Sequence, residues 1–182
     1  EGVANDCFRI AARGELNRAL TARMRLLGPA AENDVVVADL RARIAMLEPA
    51  SAPLNGVSGE AGAQWMGADW HREGFADFDA LAAAVPEGGG MIASVAFEGF
   101  QRPGAVGAHA VRVYRENGRL WVRDGDGPAV DFAVWRDGLS GVVGLHGIVR
   151  AADGTAVVPP GAGGRTRGEQ GKAFAIATMG AR

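Results

Sequence analysis

The sequence predicts an α+β fold in which N-terminal helices pack on an antiparallel β-sheet. Two segments with apolar residues three or four positions apart come first, over residues 5–27 and 34–48. Short apolar runs separated by glycine-containing turns follow over residues 91–149. Helices that precede the strands, instead of alternating with them, are typical of an α+β domain.

The two long predicted helices have recognisable ends. The first begins at a capping residue, Asn5 or Asp6, and ends at Gly28-Pro29. Gly14 lies inside this helix, where a residue without a side chain indicates close packing. Asp34 is the predicted N-cap of the second helix.

The next part of the chain is a predicted loop over residues 49–64, which are rich in Pro, Ser, Gly and Ala. Residues 75–90 predict a short helix that Pro86 and a glycine run stop. The sheet follows, and Asn117-Gly118 is a typical hairpin turn within it. The predicted strands cover residues 91–97, 109–115, 119–124, 129–135 and 141–149.

The 182 residues suit a single domain, which we place at residues 1–150. Residues 151–182 form a Gly- and Pro-rich C-terminal segment, either a mobile tail or a loop that crosses the surface. The chain starts with Glu1 instead of Met and has no signal peptide, which favours a processed chain or an excised domain.

Composition narrows the possible functions. The net charge is −2, without the broad basic field that binds phosphate backbones, so we expect no nucleic acid partner. No apolar run is long enough to span a bilayer, so we expect no membrane partner. A single cysteine, Cys7, excludes an intramolecular disulfide and a cysteine-based zinc cluster.

The position of Cys7 favours a nucleophile. At the start of a helix, free N–H groups and the macrodipole stabilise a thiolate and can also stabilise an oxyanion. The alternative is a buried cysteine that acts as a small apolar residue. A thiolate nucleophile needs an imidazole, and the imidazole needs an acceptor that orients it.

His109, near the start of the first hairpin strand, is the candidate imidazole. With Asn117-Gly118 as the turn, His109 lies opposite Asp126, and Asp124 is its diagonal neighbour at roughly 7–8 Å. Either aspartate can therefore orient the ring. The other histidines are interpreted as an exposed residue, His71, and a core or edge residue, His146.

Three segments together resemble the papain-like fold toxin domains of bacterial effectors and polymorphic toxins. These segments are "NDCFRIAA", "DALAAAVPEGGGMIASVAF" and "GAHAVRVYRENGRLWVRDGDG", and the resemblance covers about residues 4 to 130. It implies a papain-like fold with Cys7 as nucleophile, His109 as general base and acid, and Asp124 as the orienting carboxylate. It leaves the oxyanion-hole residue open between Asn5 and Gln64.

The resemblance also implies an activity and a setting. The expected enzyme is a protein glutamine deamidase that needs neither a metal nor an organic cofactor. Its expected partners are a target protein that bears a reactive glutamine and a cognate immunity protein. The expected location is that of a secreted effector domain delivered into a target cell.

Other functions fit the same residues. A cysteine protease and a transglutaminase-like enzyme use the same triad order and the same thioester intermediate. A protein-interaction module is the alternative without catalysis, and Cys7 would then be buried and inert. Such a module would bind through its tryptophans, Trp65, Trp70, Trp121 and Trp135, although core packing is the commoner use of tryptophan.

Overall fold

A computed structural model describes residues 7–47, 59–68, 74–99 and 106–157. It confirms an α+β fold with N-terminal helices and a five-stranded antiparallel sheet in the order β4-β3-β2-β1-β5. The strands are β1 (Gly90–Glu98), β2 (Val106–Glu116), β3 (Arg119–Arg123), β4 (Val130–Asp131) and β5 (Val142–Arg150). The helices are α1 (Cys7–Leu27), α2 (Val35–Met46), α3 (Gly59–Met66), α4 (Phe78–Ala83) and α5 (Phe132–Asp137).

The first two predicted helices are confirmed as α1 and α2. A 3₁₀ turn, Gly28–Asn33, joins them, and Asp34 caps α2 by accepting a hydrogen bond from the Val37 N–H at 2.9 Å. The proposed caps of α1, Asn5 and Asp6, lie outside the described residues.

Two sequence-based expectations are wrong. Helix α3 occupies the end of the segment that was expected to be a loop. Residues 129–135 were expected to form a strand, but only β4 pairs with the sheet before α5 begins. The cause is Asp131, whose carboxylate accepts a hydrogen bond from the Ala133 N–H at 2.9 Å and starts the helix.

The two faces of the sheet bury different cores. Small side chains such as Ala108 and Ala110, together with Ile92, face α1 and its fully buried Phe8 and Leu16. Alanines on the strand allow a helix to pack closely against it. Cys7 belongs to this core, so the helical face of the sheet positions the thiol.

The opposite face of the sheet packs on an aromatic cluster from α4 and α5. Phe78 meets Phe132 and Trp135 edge to face, with ring centroids 6.3 Å and 5.9 Å apart. Trp65, on the other side of the sheet, packs against Phe8 at 5.9 Å. Trp65 and Trp135 therefore contribute to packing, and Trp70 lies outside the described residues.

The hairpin forms as predicted. Asn117 and Gly118 both have positive φ angles, 53° and 74°, as a tight two-residue turn requires.

After β5 the chain pairs once more, through the Val157 N–H and the Val149 carbonyl at 2.9 Å. Residues 158–182, most of the predicted C-terminal segment, lie outside the described residues. Among the described helices, none combines the length and apolar character needed to cross a bilayer.

Candidate active site

Cys7 is the first residue of α1, and the residue is only 7 % exposed. The next residue, Phe8, is fully buried and anchors this end of the helix. Gly62 of α3 makes room for the Phe8 ring, because a Cβ at Gly62 would lie 2.7 Å from it. The packing of Phe8 against α3 therefore holds the end of α1 that carries Cys7.

Strand β3 is shorter than β2, and this difference leaves the β2 backbone beside Cys7 without a neighbouring strand on one side. Strand β3 ends at Arg123, which pairs with Arg112, so residues of β2 before Arg112 have no partner in β3. The backbone N–H of Ala110 is directed at the Cys7 sulfur, and so is the N–H of Phe8. The sheet edge and the helix start thus both supply donors to one thiol.

His109 precedes Ala110 on β2 and makes a short contact with Asp124. Its Nε2 lies 2.6 Å from Asp124 Oδ1, and the His109 side chain is 24 % exposed. The structure therefore brings these two residues together, as the sequence analysis proposed.

The register of the hairpin follows the turn centred on Asn117-Gly118, as expected, yet Asp126 is not the residue that contacts His109. Pairing stops because the chain turns after Arg123. Gly125 has a φ of 57°, and the Gly127 N–H donates to the Asp124 carbonyl at 3.1 Å. This turn leaves Asp124 in contact with the His109 ring.

The other ring nitrogen of His109, Nδ1, is not used in the contact with Asp124 and can interact with Cys7. Nδ1 is buried and makes no full hydrogen bond to any residue in the described part of the chain. The thiol nevertheless interacts with the imidazole closely enough to shift the pKa of both groups. A contact that is looser than a full hydrogen bond is common for catalytic pairs without substrate.

The surroundings of Cys7 lower its pKa overall. Burial raises the pKa of the thiol, but the His109 side chain and the N–H groups of Ala110 and Phe8 together outweigh burial. Cys7 is therefore placed to ionise more readily than an isolated cysteine.

The pKa of His109 moves in the opposite direction. Burial lowers it, but hydrogen bonds and charge from Asp124 and from Cys7 raise the pKa of His109 to about 10. The two opposite shifts favour a thiolate and an imidazolium over the neutral pair. Such a pair is a nucleophile with its proton donor already charged.

The other sequence candidates do not join this group. His146 lies on β5, and β1 separates that strand from β2. His71, Asn5 and the side chain of Gln64 lie outside the described residues. Within the described ranges, no three His, Cys, Asp or Glu side chains gather as a metal site would require.

The sequence does not single out the Ala110 N–H, which the structure directs at the Cys7 sulfur. This N–H can reach Cys7 because β3 is shorter than β2 and does not pair with this part of β2. The aspartates and glycines after Arg123 are the only sequence signal that β3 ends there.

Comparisons with protein-family models, with curated proteins and with solved structures find no match to this chain.

Proposed function

We propose that this domain is a papain-like cysteine enzyme that deamidates glutamine side chains of a target protein. The observation that supports this most is the chain of contacts from Cys7 through His109 to Asp124. An inert core cysteine needs neither an imidazole neighbour nor two backbone donors. The arrangement supplies the nucleophile, the base and the orienting group of a cysteine triad.

The reaction starts with the Cys7 thiolate attacking the side-chain amide carbon of glutamine. The C=O electron pair moves to oxygen, and we assign stabilisation of the resulting oxyanion to N–H groups at the start of α1. The His109 imidazolium then gives its proton to the amide nitrogen. The C–N bond breaks, ammonia leaves and a thioester remains.

Water completes the reaction. Neutral His109 takes a proton from water, and the hydroxide attacks the thioester carbon. The C–S bond breaks, which releases the side-chain carboxylic acid and restores the Cys7 thiolate and the His109 imidazolium. The acid then loses its proton to the released ammonia or to solvent and becomes glutamate. Asp124 keeps Nδ1 of the ring directed at Cys7 by holding Nε2. No step uses a metal or an organic cofactor.

The biological setting stays part of the proposal. A glutamine converted to glutamate gains a negative charge, which can disable a host protein without cutting it. This fits a secreted effector that acts in a target cell and a cognate immunity protein that protects the producer.

The test combines two readouts on the same reaction. The domain is incubated with a blocked glutamine dipeptide and with candidate proteins, and released ammonia and the mass of intact products are measured. We expect ammonia together with the small mass gain of an amide-to-acid exchange. Cys7→Ala should abolish both, whereas Asp126→Asn, a matched change beside the triad, should retain both.

Other outcomes identify the other enzymes. Chain cleavage without the amide-to-acid mass gain would indicate a protease, and incorporation of an added amine would indicate a transglutaminase. Activity that survives Cys7→Ala would contradict the triad itself.

A further inference from the structure

An open cleft lies beside the candidate active site, between α1 and the strands β2 and β3. Its volume is about 610 Å³, which is within the range of binding sites for ligands larger than a single ion. Gly14 of α1 lines its near end, two helical turns beyond Cys7. Arg112 and Arg123 line its sheet side, and Arg123 directly precedes Asp124.

The cleft is strongly basic although the chain as a whole is acidic. Among the residues that the structure describes, five arginines and one glutamate line it, while the net charge of the chain is −2. These arginines come from α1, β2 and β3, which are separate segments of the sequence: Arg18, Arg25, Arg112, Arg115 and Arg123. A cleft lined by one sign of charge concentrates the field of that charge and attracts ligands of the opposite sign.

Two of these arginines have structural partners. Arg18 pairs with the buried Glu15 and donates to the Gly88 carbonyl at 2.8 Å. Arg115 donates to the carbonyls of Val85 at 2.9 Å and Ala82 at 2.7 Å. These two residues hold the walls of the cleft in place.

The other three arginines are held less firmly by the protein itself. Arg25 and Arg123 are exposed, and neither forms an ion pair with a residue in the described part of the chain. Arg112 forms a long ion pair with Glu15, 4.0 Å from Nε to Oε2, and its side chain is 18 % exposed. A guanidinium without a close carboxylate partner can pair with a carboxylate or phosphate ligand through its exposed N–H groups.

A close packing contact fixes Arg112 in the cleft. Its guanidinium passes over Gly14, where an added Cβ would lie 2.8 Å from Nη1. On the other side, the guanidinium lies 4.8 Å from the centre of the Tyr114 ring. Arg112 is therefore preorganised between α1 and Tyr114.

We propose that this cleft binds an extended acidic segment of the protein substrate, so that its aspartates and glutamates pair with Arg25, Arg112 and Arg123. The proposal rests on the proposed function, because the segment guides a glutamine toward Cys7. From Gly14 to Arg25 the helix wall runs for about 16 Å, which matches about five extended residues. A further span of about 10 Å along α1 reaches Cys7.

Two observations favour an acidic peptide over other anions. A single phosphate would fill only a part of a cleft of about 610 Å³. Single-stranded nucleic acid needs aromatic rings on which its bases stack. Tyr114 is the one aromatic residue among the described lining residues, and Arg112 already covers it.

The binding arm of the test uses the full chain carrying Cys7→Ala and a fluorescent octaglutamate peptide. Anisotropy should show binding that weakens as salt is added. Arg25→Ala and Arg123→Ala should each weaken it about two- to fivefold, and together about tenfold. Arg41→Ala removes the same charge from the exposed surface of α2, outside the cleft, and should leave the affinity unchanged.

The catalytic arm compares a blocked glutamine dipeptide with a glutamine peptide that carries an acidic run. The double variant at Arg25 and Arg123 should raise KM for the acidic peptide about tenfold more than it raises KM for the dipeptide. If the dipeptide is not deamidated, the proposed function fails while the binding arm still tests the cleft.

Three results would overturn the inference. The first is no salt-dependent binding of octaglutamate. The second is an equal loss of affinity on Arg41→Ala. The third is tighter binding of octathymidine than of octaglutamate through the same arginines, which would make the cleft a nucleic acid site.

Discussion

Replacing Asp124 with asparagine removes the charge that contacts His109 Nε2 at 2.6 Å while the shape of the side chain is kept. Two unit charges about 4 Å apart attract by about 1 kcal/mol in water and about 4 kcal/mol near a protein surface. The Asp124 side chain is 57 % exposed, so the lower part of this range applies, about 1–2 kcal/mol. That energy corresponds to about one pKa unit.

We therefore expect the pKa of His109 to fall from about 10 by about one unit in Asp124→Asn. The ring titration can be followed by NMR, since the chain has only three histidines and His109→Ala identifies the signal. Asp126→Asn is the matched control and should leave the titration of His109 unchanged. An equal fall in both variants, or no fall in Asp124→Asn, would refute the assignment of Asp124 as the partner.

Four further predictions concern stability and are measured by urea unfolding. Glu15→Ala should destabilise the domain by about 3–5 kcal/mol, because it leaves the charge of Arg18 without its buried partner; a loss below 1 kcal/mol would contradict this. Leu16→Ala should cost about 2–5 kcal/mol, since Leu16 is fully buried between α1 and the sheet, and an unchanged midpoint would show that the packing is wrong. Gly118→Ala should cost about 1 kcal/mol through its φ of 74° alone, because no atom of the described residues lies within 4 Å of the added Cβ, and a gain in stability would exclude this turn. Arg23 lowers the pKa of Asp34 to about 2, so the stability that the Asp34 charge provides should be present above pH 4 and lost as pH falls through about 2. The difference in unfolding free energy between wild type and Asp34→Asn should therefore shrink over that range, and a constant difference would contradict this prediction.

The site elements that the sequence predicts are those with strong local signals. The Asn117-Gly118 turn fixes the register of the hairpin, and the register places His109 near the chain that follows β3. The helical spacing after Cys7 places the thiol at a helix start. Local periodicity and turn chemistry are sufficient for both inferences.

The choice between Asp124 and Asp126 depends on where pairing stops. Strand register alone places Asp126 opposite His109. The turn at Gly125 ends the strand first, and its effect on side-chain direction is a three-dimensional property. A sequence pattern can show that a turn follows Arg123, but not which carboxylate then reaches the ring.

The wrong assignment at residues 129–135 has a similar origin. The alternation of apolar residues around Val130 and Phe132 fits a strand, while Asp131 fits a helix cap. The Asp131 cap starts the helix, and the packing of Phe132 and Trp135, three residues apart, on Phe78 stabilises it. Phe78 belongs to α4, and the sequence of residues 129–135 does not show that α4 packs against them.

The basic cleft is the feature that the sequence indicates least. Its arginines are scattered from Arg18 to Arg123, and the net charge of the chain is negative. Only the packing of α1 on β2 brings them together. Charge counted along the chain therefore does not reveal a site built from several elements.

The pH dependence of Cys7 alkylation by iodoacetamide tests the central claim most directly. Cys7 is the only cysteine, so labelling of the whole chain reports this one thiol. We expect rapid labelling at neutral pH, with an apparent pKa below the usual value of about 8.5, and a shift to higher pH in His109→Ala. An apparent pKa at or above about 8.5 in both proteins would contradict the thiolate–imidazolium pair.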